Sequence, residues 1–182
     1  MTATPRLRPA AGLTLVELLC ALAILAVLMG GALPSLFQLR ATQTLRAAAD
    51  LLETDLQYAR SLALAEGQPV RLSLQAMDDG GSCYLIHTGP AQSCRCRPAG
   101  QAAQCEPGSR LLRVVELDRS TGLRLAPVDR SLVFDSHKGT VTPTATLRLS
   151  DAEGRAIHQI VNIMGRVRSC SPTALAGMKA CG

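Results

Sequence analysis

The stretch GLTLVELLCALAILAVLMGGALPSL, Gly12 to Leu36, decides how the front of this chain is read. From Gly12 to Leu39 its one charged side chain is Glu17, set near the start of an otherwise apolar run. Leu13 to Phe37 is longer than the roughly 20 residues a helix needs to span a bilayer. The residues ahead of it carry Arg6 and Arg8 and no acid, which predicts a cytoplasmic N-terminus and an external C-terminal part. An ordinary secretory signal has an apolar core of about 7–15 residues and a small-x-small cleavage site after it. This run is longer and shows no clean site near its end. A plain membrane anchor accounts for the length and leaves Glu17 unexplained, because a carboxylate in lipid is costly unless it is paired.

Outward from this segment, the 182-residue chain leaves roughly 140 residues for a globular part, enough for one modest core. The net charge of +5 is small, so any electrostatic function has to rest on local clustering. The aromatics are Phe37, Tyr58, Tyr84 and Phe134, with no Trp. That scarcity argues against a stacking platform for bases or sugars. No Gly-rich phosphate loop, Gly-x-Ser-x-Gly or His-Glu-x-x-His occurs, and nothing points to an enzyme or a cofactor.

Past the apolar run, Leu45, Ala49, Leu52, Leu56, Ala59 and Ala63 recur at steps of three and four, while Arg46, Asp50, Glu53, Asp55, Gln57 and Arg60 fall on the opposite side. This is an amphipathic helix with one apolar stripe. Pro34 is expected to kink the helix, and EGQP, Glu66 to Pro69, to end it. After Pro69 the period changes to two. Strands are expected at 70–75, 83–88, 110–117, 131–135, 144–150 and 156–163, separated by turn signals such as DDGG (78–81) and DAEG (151–154). The expected architecture is α+β, a long N-terminal helix packed on an antiparallel sheet.

The segment GLTLVELL resembles the type IV prepilin signal. That resemblance implies cleavage by prepilin peptidase between Gly12 and Leu13, then N-methylation of Leu13, whose place is more often held by Phe in the family. Glu17 becomes the fifth mature residue and a filament-assembly residue, free to meet the new amine of a neighbouring subunit; Pro34 also matches a place where pilin helices commonly carry proline. Read this way, residues 1–12 are a leader peptide, 13–39 the transmembrane half of the helix, 40–66 its amphipathic half, and 67–182 a periplasmic β-rich domain. The turn-rich strands, YLIHTGPAQSCRC and NIMGRVRSC together resemble the FimT/GspH family of minor pilins and pseudopilins. The implied location is the inner membrane, single-pass, then a pilus or pseudopilus, with other pilins as partners.

Cys20 lies in the apolar run and reads as a small apolar filler. Cys83, Cys94, Cys96, Cys105, Cys170 and Cys181 form an even set outside it, which suits an oxidising compartment. Fifteen pairings are open to six cysteines. Cys170 and Cys181 are expected to close a C-terminal loop, with the other four pairing among themselves. Cys83, Cys94, Cys96 and Cys105 with His87 are also rich enough in ligands for zinc, but Cys-x-Cys matches the usual zinc spacing poorly, and no metal is expected. His137 and His158 read as surface or structural residues.

From Ala156 to the C-terminus there are Arg166, Arg168 and Lys179 and no acid. Residues two apart in a strand share a face, so Arg166 and Arg168 can address neighbouring phosphates, with Gly165 permitting close backbone approach and Arg148 and Arg155 adding charge. The bland alternative is two solvated arginines, or partners for acids of a neighbouring subunit. GRVR, Gly165 to Arg168, resembles the Gly-Arg-x-Arg motif of FimT-type minor pilins, which implies DNA binding in natural transformation. The competing role is that of a GspH-like pseudopilin, structural in type II secretion.

Overall fold

The computed structural model describes residues 12, 14–78, 80–98, 101–128 and 130–182, and for residues 31–35 the backbone alone. Leu13 and the leader up to residue 11 lie outside the described residues, as does the side chain of Pro34. One helix, α1, runs Leu15–Glu66 over 52 residues. Its start is set locally. Thr14 Oγ1 accepts the Glu17 N–H at 3.3 Å, and the Thr14 carbonyl accepts the Leu18 N–H at 3.1 Å. Thr14-Leu15-Val16-Glu17 thus has the Ser/Thr-x-x-Glu form of a capping box, with a carboxylate in the first turn, where the helix dipole favours it. The helix ends at Gly67, whose φ of 64° lies in the left-handed region open to glycine.

The chain divides into two compact units, Met1–Arg40 and Ala41–Gly182. In the first, the described helix residues expose large apolar side chains all round, among them Leu15, Val16, Leu22, Ile24, Val27 and Leu28. Among the described residues no helix is long and apolar enough to cross a membrane. Leu13 and the side chains of residues 31–35, which belong to the apolar run, are not among them.

In the second unit the apolar stripe of α1 is the spine of the core: Leu45, Ala49, Leu52, Leu56, Ala59 and Ala63 are each at most 2% exposed. Burying each such leucine is worth about 1.5–3 kcal/mol. The stripe meets two antiparallel sheets and not one. The first has the order β5-β2-β1-β7-β8, built from β1 (Val70–Ala76), β2 (Ser82–Thr88), β5 (Leu111–Leu117), β7 (Leu132–Phe134) and β8 (Val141–Thr142). The second has the order β11-β10-β9-β6, from β6 (Arg124–Leu125), β9 (Ala145–Ser150), β10 (Ala156–Val161) and β11 (Val167–Cys170). A short ribbon, β3 (Cys94–Arg95) with β4 (Gln104–Cys105), lies within the cysteine-rich loop. Pro143 stands between β8 and β9; with no N–H to give a ladder, it marks the point where the chain leaves one sheet for the other.

Both sheets turn one face to the core. Val70, Leu72 and Leu74 of β1, Leu147 and Leu149 of β9, and Ile157 and Val161 of β10 are buried there. The intervening residues, Arg71, Ser73 and Gln75 on β1 and Thr146, Arg148 and Ser150 on β9, therefore take the opposite, outer face. One helical residue departs from the expected pattern. Asp55 is not on a solvated face but 1% exposed. Its Oδ2 accepts the Tyr84 hydroxyl at 2.7 Å and lies 2.8 Å from Arg113 Nε. A phenol from β2 and a guanidinium from β5 reach over the flank of the helix and replace water around the carboxylate.

Candidate functional site

Gly165, Arg166 and Arg168 lie on the hairpin from β10 to β11. Its turn is closed by backbone bonds: Gly165 N–H to Asn162 O at 2.9 Å, Asn162 N–H to Arg166 O at 3.1 Å, and Arg166 N–H to the Asn162 side-chain Oδ1 at 2.9 Å. The Ile163 carbonyl accepts the Val141 N–H at 2.8 Å, so the turn is also tied to β8 of the other sheet. Gly165 has φ 70°, and a Cβ there would lie 2.9 Å from Arg60 Cδ. That arginine donates from Nε to Gly139 O at 2.9 Å, and Gln57 Nε2 lies 3.5 Å from Gly165 O. The glycine is thus required by the turn and by the approach of Arg60 from α1. The fold accounts for Gly165 without a phosphate approaching its backbone.

The strand after the turn is oriented by its inward residues. Ser169 Oγ lies 2.9 Å from Glu53 Oε2 and 3.0 Å from Gln159 Oε1, and Gln159 Nε2 donates to Ala49 O at 3.0 Å. With Val167 and Ser169 turned toward α1, Arg168 faces out, and Arg166 at the end of the turn is exposed as well. Register defines the neighbours of Arg168 on that face. It stands opposite Ile160, which stands opposite Thr146; one step along, Cys170, His158 and Arg148 form the next row. Arg124 pairs with Ser150 at the far edge. The outward positions of the sheet include Arg124, Arg148 and Arg168 and no carboxylate among the described residues. Burial, and then the Arg148 guanidinium, hold His158 below the ordinary imidazole range, so the positive charge of this face at neutral pH rests on arginine.

Two expected contributors stand elsewhere. Arg155 donates from Nε to Asp151 Oδ2 at 2.5 Å, from Nη2 to Glu153 Oε2 at 2.9 Å and from Nη1 to Thr42 Oγ1 at 3.2 Å, so its charge is neutralised in the β9–β10 turn. Lys179 is exposed, but its carbonyl accepts the Ser171 N–H at 2.9 Å, which places it beyond the Cys170 end of β11, away from Arg166.

Cys170 and Cys181 form a disulfide, and the other pairs are Cys83–Cys96 and Cys94–Cys105. Cys20 is free and exposed. His158, Cys170 and Cys181 bring potential metal-ligand atoms within 4.8 Å of one another, but the two sulfurs are bonded to each other. His87 is buried, with Nε2 2.9 Å from Ser73 Oγ and Nδ1 3.1 Å from Thr88 O, and the four cysteines considered with it as zinc ligands are in disulfides.

Glu17, exposed in the isolated chain, makes its described bond through its backbone to Thr14. The capping box was legible in the TLVE spelling, ahead of any filament contact. Arg71 on the outer face of β1 and Arg95 on β3 were harder to find, because their proximity depends on pairing between distant strands.

A long helix whose apolar stripe is covered by antiparallel sheets, with a disulfide-closed tail, defines a pilin-like α+β protein. The chain belongs to the GspH family. The family model described as type II transport protein GspH matches residues 48–165, and the prokaryotic N-terminal methylation motif matches residues 7–33. It is therefore a type IV pilin or pseudopilin of the FimT/GspH kind, a structural subunit that assembles with other pilins. The GspH match stops at Gly165, leaving Arg166, Arg168 and the Cys170–Cys181 loop beyond it. Among solved structures, the type IV minor pilin FimU of Pseudomonas aeruginosa is similar at 24% identity, covering 68% of this chain and 86% of that one with a TM-score of 0.45. No curated protein matches the chain in sequence.

Proposed function

We propose that this chain is a minor pilin of a type IV pilus that binds DNA through the β10–β11 hairpin for uptake in natural transformation. The observation that carries the reading is the pair Arg166 and Arg168, exposed beside an outer sheet face whose described outward positions hold arginines and no carboxylate. Guanidinium groups bind phosphate oxygens in bidentate fashion and release counterions from the duplex. With few contacts and no aromatic platform, binding is roughly micromolar or weaker, steep in salt and indifferent to sequence. Several subunits in one filament raise the effective affinity by avidity.

In this proposal prepilin peptidase cuts between Gly12 and Leu13, Leu13 is N-methylated, and residues 13–39 lie in the inner membrane with the β-rich part in the periplasm. The test is a gel shift of a duplex by the full chain in non-ionic detergent. The wild type retards the duplex at low salt and the Arg166→Gln/Arg168→Gln variant does not; equal retardation by the two removes the hairpin from the site.

A second reading is a GspH-like pseudopilin that serves type II secretion without binding DNA, favoured by the family match over residues 48–165. Deleting the gene separates the two: loss of transformation with secretion intact supports the first, and the reverse supports the second.

A further inference from the structure

The geometry points to a second phosphate-binding site on the outer face of the first sheet, a cleft in which Arg71, Arg95 and Arg130 continue the nucleic-acid surface that begins at Arg166 and Arg168. This rests on the DNA-binding reading and extends it to a part of the molecule that the hairpin motif does not touch.

The cleft has a volume of about 630 Å³, and three arginines from three segments line it: Arg71 from β1, Arg95 from β3 and Arg130 from the connection between β6 and β7. No carboxylate is among the described residues that line it. Two of the three arginines are held in place. Arg71 Nη1 donates to Ser131 Oγ at 2.8 Å and its Nε lies 3.4 Å from Gly89 O, so among the described residues this half-buried cation has neutral partners and no counter-anion. Arg95 sits between two disulfide-bonded cysteines, Cys94 and Cys96. Gln75 pins that segment from β1, donating from Nε2 to Cys94 O at 2.8 Å and accepting the Cys96 N–H at Oε1 at 2.9 Å. The Cys-Arg-Cys spelling, a poor zinc grip, is thus a rigid mount for a cation. Burial lowers the Arg71 pKa, the mark of a cation in a partly dehydrated place that an anion would relieve.

The cleft is not isolated. A second cleft of about 480 Å³ shares Arg130 and Pro143 in its wall and ends on Arg148. Arg148 lies in the row His158–Cys170 of the second sheet, and Arg168 is one row along. Two strand spacings and two residues separate Arg148 from Arg168, about 12 Å between Cα positions. Arg95, Arg71, Arg130, Arg148 and Arg168 therefore form one track across the outer faces of both sheets, on the side away from α1. A track of arginines facing outward, with no carboxylate among the described residues that line either cleft, suits the phosphates of an extended nucleic-acid backbone.

The test is fluorescence anisotropy of a labelled 30-base-pair duplex with the full chain in non-ionic detergent, over a salt series. Arg95→Gln/Arg130→Gln is the chief variant, because both residues are exposed and neither side chain has a bond to lose among the described residues; circular dichroism checks that it melts as the wild type does. The expected result is about tenfold weaker binding and a slope of log K against log salt lower by about 2. Unchanged affinity and slope in this variant, with binding lost in Arg166→Gln/Arg168→Gln, overturns the cleft and leaves the hairpin standing. Wild type that binds no duplex at low salt sinks the proposed function and the track together. A parallel titration with inorganic pyrophosphate follows the arginine side-chain NMR signals. Arg71 and Arg95 signals that move with pyrophosphate in a protein whose duplex binding ignores Arg95→Gln/Arg130→Gln identify a free-anion site and overturn the nucleic-acid assignment.

Discussion

Asp55 shows how one side chain ties the helix to the sheet. Its Oδ2 is met by the Tyr84 hydroxyl at 2.7 Å and by Arg113 Nε at 2.8 Å, in a position 1% exposed. A hydrogen bond to a buried carboxylate is worth about 1.5–3 kcal/mol, so Tyr84→Phe should lower stability by that amount at neutral pH in thermal melts. Burial, then the hydrogen bond to Asp55, raise the Tyr84 pKa far above its ordinary value. The fold therefore favours the protonated phenol. Its contribution is complete below the unfolded tyrosine pKa of about 10 and declines as pH rises beyond it, because the unfolded chain loses that proton first. The stability gap between wild type and Tyr84→Phe should shrink above about pH 10 in denaturant titrations, and a gap constant with pH would falsify this reading. Gly165 works by conformation: with φ 70° and Arg60 Cδ 2.9 Å from where a Cβ would stand, Gly165→Ala should cost about 1–2 kcal/mol or more. The check is a lowered melting temperature with DNA affinity reduced less than in the arginine double variant.

At the scale of elements, the β10–β11 hairpin is held at three places: the Asn162 turn, the Val141–Ile163 backbone bond to the first sheet and the Cys170–Cys181 disulfide. The disulfide joins residues 11 apart in sequence, for which the loop-closure estimate is about 3 kcal/mol. Cys170→Ser/Cys181→Ser should reduce stability by about that much in urea unfolding while sparing the hairpin turn, whose bonds are its own. Strands of six and seven residues were legible from their alternation. The pairs Arg124–Leu125 and Val141–Thr142 were not, because two residues have no measurable period and are defined by the partners they find. The apolar stripe of α1 was legible residue by residue, since spacing of three and four leaves one face for Leu45 to Ala63. Asp55 beside it was not: whether a residue flanking a stripe meets water depends on Tyr84 and Arg113, which come from distant strands.

For the whole molecule, the proposed function gives assembly and DNA binding to different parts of the chain. In the proposed filament Glu17 pairs with the mature amine of a neighbouring Leu13, so Glu17→Ala should abolish filament incorporation in a sheared-pilus assay while membrane fractionation still finds the protein. Normal incorporation would end the pairing idea. The residue also sits at the third position of the helix, and its backbone bond to Thr14 survives the substitution. Leader motif, helix, stripe and the α+β class are local in origin, set by spacing along a contiguous stretch, and so the sequence by itself determined them. The division into two sheets, the pairing among Cys83, Cys94, Cys96 and Cys105, and the placing of Arg71, Arg95 and Arg130 around one cleft were decided by the tertiary structure alone. Each of these depends on which distant segments become neighbours, a property of strand register and packing that no spacing along the chain encodes.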